Sequence, residues 1–384
     1  MPSLDTSLSS ADNLPSRLTG PLAELGAGAS GPFEIQLNPS DVQALEDAIS
    51  AFKALGIDGH EIDTTNFVPP ANLRERLSGA ASKLHNSCLA NFIGDKHGVQ
   101  DKKGNVISHI TDAQTWTVPY EQRHGAHTNQ SLTWHCDMGA DILALQVRQV
   151  AAKGGKTLVA SSWKVYNDLM AERPDIVHVL AQPNWPVHMS DRKTLYTLAP
   201  LVAFEDNRLL FNFDPSRLGA HPAMKSNRSS RAKHVPELTD IQREALRVVS
   251  SIAERNSMAL DTNPGDLVFV NNWAVLHSRS AYEDADIATG GKTTARRHLL
   301  RLWLRNSKFG WKIPEAIRGP WETAFGYTDE GYMSSEHSQI VAQFKYAVVP
   351  SANYKPARYT TGSASFAIVD SDSGSESESG GVVE

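Results

Sequence analysis

The run Trp134-His135-Cys136-Asp137 holds the residue types best suited to chemistry in this chain. Side chains of an extended strand alternate between its faces, so His135 and Asp137 point to one side and Cys136 to the other. An imidazole and a carboxylate held side by side can share one divalent metal ion, with a third ligand arriving from elsewhere. His277 is the candidate for that third position. Two imidazoles and one carboxylate on one face of a six-coordinate ion leave three positions open. That pattern suits Fe(II) carrying a chelating cosubstrate and then O2. Structural zinc sites are more often closed and rich in thiolates, and the chain has only 2 cysteines, Cys88 and Cys136. Cys136 is expected to fill the core behind the two ligands. The His-x-Asp pair by itself carries little weight. With 14 histidines in the chain, chance composition gives about one such pair. Taken alone, His277 is more simply a hydrogen-bonded structural histidine.

A second set of residues suits an anion. Downstream of His277, Arg296-Arg297-His298-Leu299-Leu300-Arg301 leads into Leu302-Trp303-Leu304. Alternation sets Arg297, Leu299, Arg301 and Trp303 on one face of a strand, and Arg296, His298 and Leu300 on the other. An arginine aimed into a barrel is costly unless an anion pairs with it. A carboxylate meets the planar guanidinium fork through two hydrogen bonds. A surface edge strand with solvated charges accounts for the same pattern. Thr157, after the turn Gly154-Gly155-Lys156, offers a hydroxyl to the same carboxylate. His124, His127 and Asn129 precede the metal motif in a glycine-containing loop, where solvated side chains are the plainer reading. Arg217 is a candidate for the pocket mouth, with a surface or structural role as the alternative.

The elements that must position these groups are mostly strands. Runs rich in Val, Leu and aromatic residues at 142–150, 157–160, 195–204, 208–213, 266–270, 274–277 and 297–304 predict strands. Gly154-Gly155 and Glu205-Asp206-Asn207 are turns between them. Apolar residues at helical spacing predict helices at 41–55, 72–84, 163–170, 174–180 and 239–255. Many short strands with few helices point to a mainly β fold with flanking helices: a sandwich, barrel or jelly roll. Residues 1–30 lack a clean period and are expected to form a loosely ordered arm. Residues 31–359 read as one domain, with the aromatics after residue 310 packing around the outside of the core. Residues 360–384 collapse to Ser, Gly, Asp and Glu and are expected to form a disordered acidic tail.

Composition narrows the function. A hydrophobic fraction of 40% and a charged fraction of 21% fit a soluble globular protein with enough chain for a sizeable core. A net charge of -6 argues against a nucleic-acid partner, which needs a broad basic face. It leaves room for a local basic pocket that takes a small anionic molecule. No apolar run approaches the roughly eighteen residues needed to span a bilayer, and no basic-then-apolar leader opens the sequence. With cysteine scarce as well, a cytoplasmic protein without a membrane partner is expected.

As an ordered set, these residues resemble a known family. Trp-His-x-Asp, then Gly-Gly-x-Thr, then a distant His followed by Arg-Arg-x-x-x-Arg resembles the taurine dioxygenase (TauD/TfdA-like) group of Fe(II)- and 2-oxoglutarate-dependent oxygenases, in a fungal-type variant. The stretches Ser161-Ser162-Trp163-Lys164-Val165-Tyr166-Asn167-Asp168-Leu169, Val275-Leu276-His277-Ser278-Arg279 and Arg297-His298-Leu299-Leu300-Arg301-Leu302-Trp303-Leu304 are similar to that group's. The resemblance spans about residues 85–310. It implies a double-stranded β-helix (jelly-roll) core in which His135, Asp137 and His277 are the iron ligands. It implies that Arg297, helped by Thr157, pairs with the distal carboxylate of 2-oxoglutarate. It further implies that Arg301 anchors an acidic group of the substrate and that Trp134 lines the pocket beside the iron. The implied reaction consumes 2-oxoglutarate and O2, releases succinate and CO2, and hydroxylates, desaturates or oxidatively cyclises a small anionic or amino-acid-like substrate. Tailoring steps of secondary metabolism are the implied setting.

One departure concerns the spacing from His277 to Arg297, which is longer than in bacterial members. The extra residues form a loop at 282–294 containing Gly290-Gly291. Arg296 and Arg297 therefore both stay candidates for the cosubstrate, because a one-residue shift reverses their facing. Two other readings remain. One is a non-catalytic jelly-roll protein that binds a small molecule; the other is a metallohydrolase using the same triad with a bound water. A hydrolase has no use for a buried dicarboxylate clamp, so the pairing of Arg297 with Thr157 favours the oxygenase.

Overall fold

The computed structural model describes residues 14–24, 39–40, 43, 47, 96–100, 106–112, 125–188, 196–219, 235–285, 296–307 and 309–325. Most of the helix expected at 41–55, all of that at 72–84, the tail at 360–384, and His124 and Cys88 lie outside the described residues.

In chain order the strands are β1 (Lys96–His97), β2 (Ser108–Ile110), β3 (Leu132–His135), β4 (Ile142–Gln149), β5 (Lys153–Gly154), β6 (Thr157–Ser161), β7 (Trp185–His188), β8 (Tyr196–Ala199), β9 (Val202–Glu205), β10 (Arg208–Phe211), β11 (Met258–Leu260), β12 (Leu267–Asn271), β13 (Val275–Arg279), β14 (Tyr282–Glu283) and β15 (His298–Arg305). Two antiparallel sheets make the core. One runs β1-β15-β4-β12, with β2 also on β15; the other runs β11-β6-β13-β3. Val275 of β13 shares a buried cluster with Leu143 and Val147 of β4 and with Leu299 and Trp303 of β15, so the inner faces of the two sheets meet. This is the double-stranded β-helix that the resemblance implied.

The second sheet carries the metal motif, and helices cover its outer face. They are α1 (Pro21–Glu24), α2 (Ser162–Glu172), α3 (Pro174–Ala181), α4 (Asp240–Arg255) and, against the first sheet's cluster, α5 (Glu315–Phe325). In α4, Thr239 and Gln242 form a reciprocal capping box, which satisfies two of the N–H groups that a helix start leaves unpaired. Its Ala245, Val249 and Ile252 pack with Trp134, Cys136 and Leu276 in one cluster. The metal-bearing strands are thus backed by rigid apolar packing. No helix among the described residues is long and apolar enough to cross a membrane.

Three expectations need correction. Residues 14–24, inside the stretch read as a loose arm, are docked on α2. Leu18 is buried, its N–H donates to Asn167 Oδ1 at 2.8 Å, and its carbonyl accepts from Asn167 Nδ2 at 2.9 Å. The strand expected at 195–204 is two strands, β8 and β9, which pair with different partners. Pro200 lies at the break, where its missing N–H cannot join a ladder. The helix α5 was not anticipated, and its Trp321 and Phe325 enter the core cluster instead of skirting it. The turn at Glu205-Asp206-Asn207 is as expected. Asp206 and Asn207 have φ of 49° and 59°, the left-handed pair that closes a two-residue hairpin between β9 and β10.

Candidate active site

His135 closes β3, Asp137 follows it, and His277 on β13 lies opposite His135 in the ladder. The Nε2 atoms of His135 and His277 each stand 3.7 Å from Asp137 Oδ1. One ligand atom from each of the three residues lies within 4.8 Å of the other two. His135 Nδ1 is 2.7 Å from the Thr133 carbonyl. A carbonyl only accepts, so Nδ1 carries the proton and Nε2 keeps its lone pair for a metal.

Asp137 is oriented by groups that the sequence reading did not assign to it. Its Oδ2 accepts from Trp303 Nε1 at 2.7 Å and from Arg301 Nη1 at 3.0 Å, leaving Oδ1 turned to the imidazoles. The Asn272 side chain accepts from Asp137 N at 2.8 Å and donates to Asp137 O at 2.7 Å, which locks the backbone. Burial alone would raise the Asp137 pKa, but Arg301, the two imidazoles and the Trp303 indole together hold it well below the usual carboxylate range. Burial first, and then His135, push His277 down to about 3. One carboxylate and two imidazoles, each with a ligand atom turned to one point, are a donor set that fits a divalent iron ion.

The triad opens on a cavity of about 110 Å³ whose lining includes Thr157, Arg279, Arg297, Arg301 and Trp303. Arg297 faces it, whereas Arg296 lies outside the lining and donates to the Asp112 carbonyl at 2.6 Å. Arg297 is buried, with Nε donating to Gly155 O at 3.0 Å and Nη1 lacking a hydrogen-bond partner among the described residues. Gly155 has a φ of +70°, and a Cβ there would lie 2.9 Å from Arg297 Cδ, so glycine permits this close approach.

Arg279 is the partner that the sequence reading missed. It is buried, donates Nη2 to Thr128 O at 2.8 Å, and keeps Nε and Nη1 without a partner among the described residues. Both guanidinium groups lie over the Tyr282 ring, at 5.0 and 5.5 Å, and the Tyr282 hydroxyl is also buried without a partner there. Burial, and next the like charge of Arg279, push Arg297 down to about 10. The signal for Arg279 was present: it stands two residues after His277 on the same strand, so alternation gives it the same face.

Other expected residues fall elsewhere. Trp134 does not line the cavity. It points to the Cys136 side of the strand, and its indole donates to Glu254 on α4 at 2.8 Å. The period that turns His135 inward turns its neighbour outward. Arg301 does line the cavity, and its Nη1 and Nε donate to Asp137 and to Gln100 Oε1, which binds the guanidinium to the ligand carboxylate. Cys136 is buried behind the triad, as expected. Arg217 lines the cavity, while His127 is buried beside it and Asn129 is half-buried, neither in the lining.

A His-Asp-His triad on the inner face of a double-stranded β-helix, opening on a cavity with buried arginines, defines a mononuclear non-haem iron oxygenase. The chain belongs to the taurine catabolism dioxygenase TauD, TfdA family, whose model matches residues 19–303. It is an Fe(II)- and 2-oxoglutarate-dependent dioxygenase. Its relatives include the taurine hydroxylase-like protein SAT17 of Stachybotrys chartarum, 28% identical over 336 residues that cover 79% of this chain and 84% of that protein. FR-33289 synthase of Streptomyces rubellomurinus is 28% identical over 221 residues, 57% of this chain and 62% of that one. Among solved structures, an asparagine oxygenase with Fe(II), hydroxyasparagine and succinate matches at 14% identity and a TM-score of 0.49, over 71% of this chain and 93% of that chain. The non-heme iron oxygenase OrfP with Fe and alpha-ketoglutaric acid matches at 14% identity and a TM-score of 0.46, with the same coverage.

Proposed function

We propose that His135, Asp137 and His277 hold one Fe(II) ion and that Arg297, with Thr157 and Arg279, receives the distal carboxylate of 2-oxoglutarate. Iron, 2-oxoglutarate and O2 supply the oxidising power: 2-oxoglutarate leaves as succinate and CO2 while a small substrate is hydroxylated, desaturated or closed into a ring. The chain's own residues hold and orient. Thr133 O fixes the His135 tautomer, Trp303 and Arg301 aim Asp137 Oδ1, and Gly155 O braces Arg297. The scarcity of cysteine supports a cytoplasmic setting, and the fungal-type motifs support a role in secondary metabolism.

One observation carries this reading. Two buried arginines with N–H groups that lack a partner among the described residues share a cavity with the triad, an arrangement that is costly unless a carboxylate completes it. Neither a hydrolase nor a simple binding protein needs a metal triad and an acid clamp together. The test is anaerobic addition of Fe(II) and 2-oxoglutarate, read by the weak visible charge-transfer absorption of the chelate. The band should form in the wild type, and Arg297→Ala should need at least about 30-fold more 2-oxoglutarate to reach it, the low end for truncating a buried charged contact. Arg296→Ala should need little more than wild type. No band in folded, iron-loaded protein rejects the oxygenase chemistry, and equal effects of the two variants reject the choice of Arg297.

A further inference from the structure

The cavity has a second polar end. In the site sheet the order is β11-β6-β13-β3, and neighbouring strands lie about 4.8 Å apart. Thr157 on β6, and Arg297, which donates to Gly155 O just before that strand, therefore stand on the β6 side of the triad, while Arg279 shares β13 with His277. Past the opposite edge, β3, the Phe213 carbonyl accepts from Cys136 N at 2.6 Å, and Asp214 follows. Asp214 is only 7% exposed and lines the same cavity.

Its carboxylate is held in one orientation. Oδ1 accepts from Ser216 N at 3.0 Å and Ser216 Oγ at 2.6 Å, capping the turn Pro215–Arg217. Oδ2 accepts no hydrogen bond from the described residues. Arg217 lies within electrostatic reach of Asp214, but the hydrogen bonds of the arginines on this side go elsewhere. Arg217 donates to the Met138 and His188 carbonyls, and Arg301 to Asp137 and Gln100. Apart from Asp137, which the metal triad uses, Asp214 is the only carboxylate in the described lining.

The open acceptor position of this buried carboxylate takes a hydrogen-bond donor from the cavity, and a protonated amine makes there a charge-assisted bond stronger than a neutral hydroxyl can. We propose that Asp214 receives a protonated amine of the substrate, so that the enzyme acts on a small ammonium-bearing molecule and not on a nitrogen-free acid or nitrogen-free sulfonate. The proposal rests on the oxygenase reading above. It places the amine across the metal from the 2-oxoglutarate clamp and replaces Arg301 as the substrate anchor.

The test measures succinate release by the iron-loaded enzyme with 2-oxoglutarate and three matched sets. These are free amino acids and simple amines, their N-acetyl derivatives, and the corresponding nitrogen-free acids and sulfonates. Stimulation should be confined to the free amines. In Asp214→Asn and Asp214→Ser, which keep a cap acceptor and remove the charge, it should fall roughly tenfold to hundredfold in kcat/KM. The anaerobic 2-oxoglutarate titration should match wild type in both variants, which also certifies their fold. Equal stimulation by capped or nitrogen-free members overturns the assignment. So does silence of the whole panel while the chelate forms, or undiminished stimulation in both variants. Failure of the wild-type chelate to form instead overturns the oxygenase reading, and this proposal with it.

Discussion

Asp137 divides its two oxygens between different tasks, and that division makes the metal site specific. Oδ2 is taken by Trp303 and Arg301, while Oδ1 faces the two imidazoles. Partners of this kind set the orientation and basicity of a ligand, and their loss typically weakens metal binding by about 10- to 100-fold. Trp303→Phe removes the indole donor and keeps an aromatic ring in the core. Iron affinity, measured by Fe(II) titration, should fall within that range with little change in melting temperature. Affinity equal to wild type would mean that Arg301 alone suffices to aim the carboxylate. Alternation foretold that Trp303 and Arg301 would face inward beside Arg297. That they would grip the metal ligand was not legible, because the contact joins residues of two different sheets.

At the scale of elements, the short ribbon of β5 and β14 supports the proposed acid clamp. It pairs Gly154 with Tyr282, bringing the ring under both arginines and Gly155 against the Arg297 stem. Gly155→Ala meets two obstacles: a left-handed φ, and a Cβ 2.9 Å from Arg297 Cδ. Strain of this kind costs about 1–3 kcal/mol. The variant should melt at lower temperature and also need more 2-oxoglutarate. Gly265→Ala is the control, with a φ of +102° but no atom within 4 Å of the added Cβ. It should lose stability and leave 2-oxoglutarate affinity unchanged. A Gly155→Ala enzyme with unaltered affinity would separate the turn from the clamp. The sequence marked this stretch as a turn leading into a strand. It could not show which side chain the turn would press against.

The molecule as a whole couples folding to pH through buried histidines. His298 sits on the opposite face of β15 from the clamp, with its Nε2 2.7 Å from His109 Nδ1. Burial first, and then His109, push His298 down to about 3, whereas a histidine in the unfolded chain titrates near about 6.5. Above that value both states are neutral, and His298 contributes no slope. As pH falls from about 6.5 towards 3, the unfolded chain takes up a proton that the folded state refuses. Stability should then drop by up to about 1.4 kcal/mol per pH unit from this residue. His298→Gln removes the titration and keeps a polar partner for His109. In metal-free protein its urea midpoint should fall less steeply than wild type between pH 6.5 and 5; parallel slopes would show that His298 is not the coupled group.

Residue types and their order picked out the candidate metal triad and the alternation of the strands, and left Arg296 and Arg297 both open as the inward arginine. These are local properties: the period of a strand and the donor chemistry of each side chain act within a few residues. Only the tertiary structure decided which groups those side chains meet. It paired Trp134 with Glu254, bound Arg301 to Asp137, set Arg279 beside Arg297, and laid Asp214 along the edge of β3. Each of these depends on which strands become neighbours, and that follows from closing two sheets over one core.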